Sequence, residues 1–186
     1  IMNTSTKRLL EELELFGKKH DGYWNISADT GQFFHILVLI SKAKNILEVG
    51  TSNGYSTIWL GEAVKQNKGK ITTIEISEHN VKMAANNFKR AKLSNIKIIH
   101  GNALEEIQKL KGKFDFLFLD AIKEDYINYF KLAYPKLAKG AVIVADNAIM
   151  FEKYMKDYLH YVRNHKNIRS VLVPIGSGVE FTLKLK

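Results

Sequence analysis

Ile46-Leu47-Glu48-Val49-Gly50-Thr51-Ser52-Asn53-Gly54-Tyr55-Ser56-Thr57 is the stretch on which the reading of this chain turns. An apolar run ends in an acid and a glycine, a short polar loop follows, and Ile58-Trp59-Leu60 opens a helical pattern. This reads as strand, glycine-rich turn and helix, the arrangement that offers backbone N–H groups to a ligand at a helix N-terminus.

The glycine spacing narrows that ligand. A dinucleotide fingerprint needs G-x-G-x-x-G to cradle a pyrophosphate, whereas Gly50 and Gly54 give G-x-x-x-G with no P-loop lysine after them. The carboxylate of Glu48 beside the loop would repel a pyrophosphate but tolerate an ammonium. A cofactor with an adenosine and a zwitterionic tail, S-adenosylmethionine, suits such a loop. Gly50, Thr51, Ser52, Gly54, Tyr55 and Ser56 are therefore candidate cofactor-binding positions. A tight turn that binds nothing would show the same two glycines.

Working outward, the flanking segments alternate in type. Leu9, Leu10, Leu13 and Phe16 predict a helix over residues 5–16 that stops at Gly17, and Asp29-Thr30-Gly31-Gln32 resembles a capping box ahead of a second helix through Ile40. After the loop come a helix over 55–66, a strand over 71–76, a helix capped by Ser77, and a strand over 96–99. Asn102 caps a short helix, 114–119 is a nearly all-apolar strand, and a helix over 125–137 stops at Lys139-Gly140. A strand over 141–145, a helix over 152–165 and a hairpin of 171–175 with 179–185 complete the pattern. These features predict one doubly wound α/β domain over residues 1–186 with an antiparallel edge. Residues 1–42 form helices over the site and 43–186 the cofactor-binding core.

Composition excludes several classes. The 186 residues contain no cysteine, which removes thiolate catalysis, disulfides and cysteine-bound zinc. The run Phe33 to Ile40 is interrupted by His35 and too short to span a bilayer, and no leader-like segment stands ahead of it, so no membrane partner and a cytoplasmic location are expected. The net charge of +9 admits nucleic acid, but only four of the 28 basic residues are arginines and the lysines are scattered, which favours a solvated surface.

In a doubly wound sheet the ligand lies at the carboxyl ends of the strands. Glu75 stands there, 25 residues after Gly50, where an acid can accept both ribose hydroxyls. Asn102 and Ala103 fall near an adenine edge, although a plain helix cap accounts for Asn102 equally well. The next two strands end in Asp120 and in Asp146-Asn147. Two carboxylates at adjacent strand ends repel unless a cation sits between them, and oxygen donors alone favour a hard ion, Mg²⁺ first, with Mn²⁺ or Ca²⁺ as alternatives. Two unrelated helix caps are the plainer account of either acid alone. Lys123, three residues past Asp120, can aim its amine into the same place, and a lysine beside a cation can act as a base.

The ordered set ILEVGTSNGYS, TIEIS, FLDAIKEDY, VIVADNA and PIGSGVEFTLKLK resembles the cation-dependent O-methyltransferases of the catechol and caffeoyl-CoA type, from about Asn25 to the end of the chain. The resemblance implies a class I methyltransferase fold, Rossmann-like, with seven strands of which the last is antiparallel. It implies that Ile26, Glu48, Ser52 and Ser56 surround the methionine part of the cofactor, that Glu75 takes the ribose, and that Ile76 and Ala103 lie near the adenine. It implies Asp120, Asp146 and Asn147 as metal ligands, with Asp120 also near the cofactor, and Lys123 as general base. The acceptor would be a small molecule with adjacent hydroxyls.

Two departures from that pattern bear on the acceptor. The N-terminal part is short for the family, and the segment after Asn147 runs almost directly into a helix, so an open pocket is expected. Tyr23, Trp24, Met150 and Phe151 are the candidate acceptor contacts, and a homodimer is an open alternative. Two other functions remain in view: methylation of a hydroxylated base in tRNA, and cofactor binding without catalysis.

Overall fold

The computed structural model describes residues 2–186. Helices α1 (Thr4–Lys19) and α2 (Ala28–Ile40) precede β1 (Asn45–Val49), α3 (Tyr55–Gln66), β2 (Lys70–Glu75), α4 (Glu78–Arg90) and β3 (Ile96–His100). Then follow α5 (Ala103–Lys109), β4 (Phe114–Leu119), α6 (Tyr126–Ala133), β5 (Leu137–Asp146), α7 (Lys156–Asn164), β6 (Ile168–Val173) and β7 (Val179–Lys184). The strands form one seven-stranded sheet in the order β3-β2-β1-β4-β5-β7-β6.

Both faces of the sheet are covered, which is why its central strands are apolar at consecutive positions. Ile46, Phe116, Phe118, Val142 and Val144 pack under α1 to α4. Their neighbours Leu47, Leu117, Leu119, Ile143 and Ala145 point the other way, under α5, α6 and α7. The chain reverses direction across the sheet between β1 and β4, and this switch point opens a crevice at their carboxyl ends.

The doubly wound architecture agrees with the sequence, and several boundaries differ for local reasons. Gly17 does not stop α1. It lies inside the helix because a Cβ there would meet Asn25 Nδ2 at 2.8 Å and the Tyr23 carbonyl at 2.9 Å, so the glycine admits the returning linker. The cap of α2 is Ser27, whose hydroxyl accepts from the Thr30 N–H, two residues before the expected box. The expected 125–137 helix is shortened because Pro135 cannot donate to an α-helical ladder, leaving a 3₁₀ turn at Tyr134–Lys136. Gly140, expected to end that helix, lies inside β5 with φ +78°.

The expected 152–165 helix is a 3₁₀ turn at Glu152–Tyr154 followed by α7, and one tight turn leads to it from Asn147. Pro174 ends β6 early and leaves Ile175 in the turn, its N–H bonded to the Val173 carbonyl. The antiparallel strand is not at the edge. β7 pairs antiparallel with both β5 and β6, so it sits between them, and the edge strand β6 runs parallel to the rest. Among the described residues, no helix is long and apolar enough to cross a membrane.

Candidate functional site

The loop after β1 is shaped by contacts to its neighbours. Gly50 has φ +99°, and a Cβ there would lie 2.0 Å from the Asp120 carbonyl oxygen, so only glycine lets the β1 loop pass the end of β4. Gly54, at φ +87°, stands ahead of α3 and packs on Phe88. The N-cap residue Gly54 has no side chain to cap α3, and Asn53 Oδ1 accepts only from the Tyr55 N–H, which leaves the later N–H groups of the first turn to a ligand.

Two acids brace this loop from within the sheet. Glu48 is 0% exposed; its oxygens accept from Ser56 Oγ at 2.7 Å and Thr57 Oγ1 at 2.6 Å. Burial pushes its carboxyl up to about 7 against the opposing pull of these hydroxyls. Glu75 accepts from the Ser52 N–H with one oxygen and from the Ser77 N–H with the other, both at 2.8 Å. It thereby ties the loop to the end of β2.

A cavity of about 240 Å³ lies over the loop. Gly50, Thr51, Ser52, Tyr55 and Ser56 form one side of it, Asp120 and Lys123 another, and Gly22, Trp24, Asn25 and Ile26 of the linker between α1 and α2 the third. Nine of the residues expected from sequence, Trp24 among them, thus share one cavity. Asn53 also lines it and was not foreseen; its Oδ1 accepts from the Tyr55 N–H while its buried Nδ2 has no partner.

Other expected positions lie off the cavity wall. Glu48 and Glu75, both buried, hydrogen-bond the loop and the start of α3 without lining the cavity, and Ile76 is exposed. Asn102 caps α5, accepting from the Leu104 N–H, and Ala103 packs on the core beneath α5.

The ends of β4 and β5 carry the remaining candidates. Leu119 is in register with Ala145, which sets Asp120 and Asp146 side by side at the strand ends. Lys123, half-buried in a 3₁₀ turn, donates to Asp120 Oδ1 at 2.8 Å, with its Nζ 5.2 Å from the centre of the Tyr126 ring. Asp146 is 3% exposed. Burial, and next the charge of Asp120, push its carboxyl up to about 7, with Lys123 pulling the other way. Burial and the same two aspartates raise the Tyr126 hydroxyl.

Ser177, from the turn between β6 and β7, was also missed by sequence reasoning. Its Oγ lies 2.9 and 3.0 Å from the two oxygens of Asp146, and it accepts from Asn147 Nδ2 at 2.9 Å. The Gly176-Ser177-Gly178 signal was visible, but it read only as a hairpin turn.

At the mouth, Trp24 and Phe151 stand nearly parallel, 11° apart with centroids at 5.8 Å. Trp24 is 73% exposed and Met150 64%. Tyr23 does not line the cavity, and its hydroxyl pairs with His79 Nε2 at 3.1 Å. The chemistry this arrangement supports is proton removal by an amine beside a cluster of oxygen donors, next to a cavity with an uncapped helix end.

A sequence profile described as O-methyltransferase matches residues 2–185. A catechol O-methyltransferase of Niastella koreensis is 38% identical over 138 residues, 72% of this chain and 62% of that protein. The match therefore spans less than two thirds of that relative. A caffeoyl-CoA O-methyltransferase of Populus trichocarpa is 29% identical over 205 aligned positions, covering 95% of this chain and 82% of its own. The crystal structure of an O-methyltransferase from Bacillus cereus in complex with SAH superposes with a TM-score of 0.85 at 26% identity, covering 95% of this chain and 90% of that one.

Proposed function

This chain belongs to the O-methyltransferase family, and on that premise we propose that it transfers the methyl group of S-adenosylmethionine to one hydroxyl of a small acceptor bearing two adjacent hydroxyls, with the help of a divalent cation. The observation that carries this reading is the grouping of Asp120, Lys123, Asp146 and Asn147 beside the cavity over the Gly50–Ser56 loop. The names of the relatives, catechol and caffeoyl-CoA O-methyltransferases, favour a small hydroxylated acceptor over tRNA.

The residues present fit both groups. For the cofactor, the cavity adjoins the uncapped end of α3, suited to a carboxylate, and its wall holds the unpartnered amide donor of Asn53. Glu75 keeps unused lone pairs for ribose hydroxyls. For the cation, the donors are all oxygens, and the mutual repulsion of Asp120 and Asp146 is the conflict a positive ion relieves. Asp120, Asp146 and Asn147 would hold it, with Mg²⁺ the leading choice.

When bound, the cofactor supplies an electrophilic methyl carbon and the cation supplies charge that favours an ionised acceptor hydroxyl. Lys123 would accept the proton at Nζ as the neutral amine, its hydrogen bond to Asp120 Oδ1 and its place beside the Tyr126 ring setting where that nitrogen stands. The linker residues Trp24, Asn25 and Ile26 form one side of a cavity that stays open at its mouth, where Trp24 is exposed. Trp24 and Phe151 offer flat faces to an aromatic acceptor at the mouth, orienting its hydroxyls inward.

The test is methyl transfer from radiolabelled S-adenosylmethionine to 3,4-dihydroxybenzoate, with Mg²⁺ and with excess chelator. Transfer abolished by chelator is the expected result. Transfer indifferent to chelator would overturn the cation, and no transfer by a protein that binds SAH would overturn the catechol-like acceptor.

A further inference from the structure

We propose that Ser177 is the positioning residue of the candidate cation site, fixing both the carboxylate of Asp146 and the rotation of the Asn147 amide. The inference rests on the cation reading above and concerns a residue outside the expected ligand set.

The hydroxyl faces two partners with opposite needs. Its proton lies between the two carboxylate oxygens of Asp146, 2.9 and 3.0 Å away, while its oxygen accepts from Asn147 Nδ2 at 2.9 Å. An amide that spends its NH₂ group on Ser177 must present its carbonyl Oδ1 elsewhere, and only Oδ1 can bind a cation. A hydroxyl performs both tasks at once. A methyl group performs neither, and an ionised carboxylate cannot donate.

The surrounding backbone holds Ser177 in place. Ile149 and Met150 donate their N–H groups to the Ser177 carbonyl, and Ala148 donates to that of Gly178. A Cβ on Gly178 would lie 2.6 Å from the Ile149 nitrogen, and one on Gly176 would lie 2.5 Å from Thr30 Oγ1. The turn is thus wedged between the start of α2 and the turn after β5. Asn147 itself has φ +68°, in the left-handed region that asparagine tolerates better than most residues. Its side chain is therefore set by an unusual backbone and one hydrogen bond, and that bond goes to Ser177.

The experiment measures Mn²⁺ binding to the intact protein by electron paramagnetic resonance of the free ion, together with SAH binding by calorimetry and the thermal midpoint. Ser177→Ala is expected to weaken Mn²⁺ binding about 10-fold, and Ser177→Thr, which keeps the hydroxyl, to stay within about threefold of the parent. SAH affinity and the midpoint should be unchanged in both. Wild-type Mn²⁺ affinity in Ser177→Ala would overturn the assignment, as would a loss of SAH affinity or midpoint in step with it, the mark of a merely structural role. Failure of the parent protein to bind Mn²⁺ would instead overturn the cation reading, and this inference with it.

Discussion

The two halves of the site solve the problem of buried acids in different ways. Under the cofactor loop, Glu48 is enclosed with two hydroxyl donors and Glu75 with two backbone N–H groups, so each acid is satisfied within the protein. At the ends of β4 and β5, Asp146 is enclosed with Asp120 as its neighbour, and a serine hydroxyl and a lysine answer for both. Burial pushes both carboxyls up, that of Glu48 against the pull of its hydroxyl donors and that of Asp146 with the like charge of Asp120 adding to it. The cofactor half is preformed. The other half carries a charge conflict that, on the proposed reading, a bound cation would resolve.

The sharpest way to break this contrast is Asp146→Ala. It should reduce methyl transfer on the order of 10³-fold and abolish its Mg²⁺ dependence, with SAH binding measured by calorimetry unchanged. Loss of SAH affinity as well would mean that the halves are one unit. Next comes Lys123→Met, expected to lower kcat about 100-fold through loss of the proton acceptor. SAH affinity should again be preserved, and transfer should recover in part as pH rises and the acceptor ionises unaided.

The third prediction concerns the cofactor half alone. Between about pH 4.5 and 7 the folded protein keeps the Glu48 proton that the unfolded chain has released, so stability falls as pH rises through that window. The full difference is about 3 kcal/mol. Glu48→Gln should remove this slope, so that urea denaturation curves of variant and parent converge near pH 4 and separate toward pH 8. The smallest effect is expected at the mouth, where Trp24→Ala should raise the acceptor KM about fivefold, the worth of one aromatic stacking contact, with kcat nearly unchanged in steady-state assays.

The same contrast governs what could be read from sequence. The loop from Glu48 to Ser56, and the acids at the ends of β2, β4 and β5, were legible because each is a local signal: an apolar strand followed at once by glycine or acid. Ser177 was not, because it meets Asp146 across 31 residues of chain and through a strand exchange. That exchange was itself hard to see. The strand VEFTLK looks like an edge, yet β7 lies inside the sheet with Glu180 fully buried, because Arg163 and Ser170 donate to its carboxylate. Gly17 failed as a stop signal for a related reason: its role is to admit the linker, a contact that composition does not reveal.

The most direct test of the account is diffraction from crystals grown with SAH and Mn²⁺, recorded where manganese scatters anomalously. One strong anomalous peak bounded by oxygens of Asp120, Asp146 and Asn147 is expected, with SAH over the Gly50–Ser56 loop. SAH in place with no peak between those three side chains would contradict it.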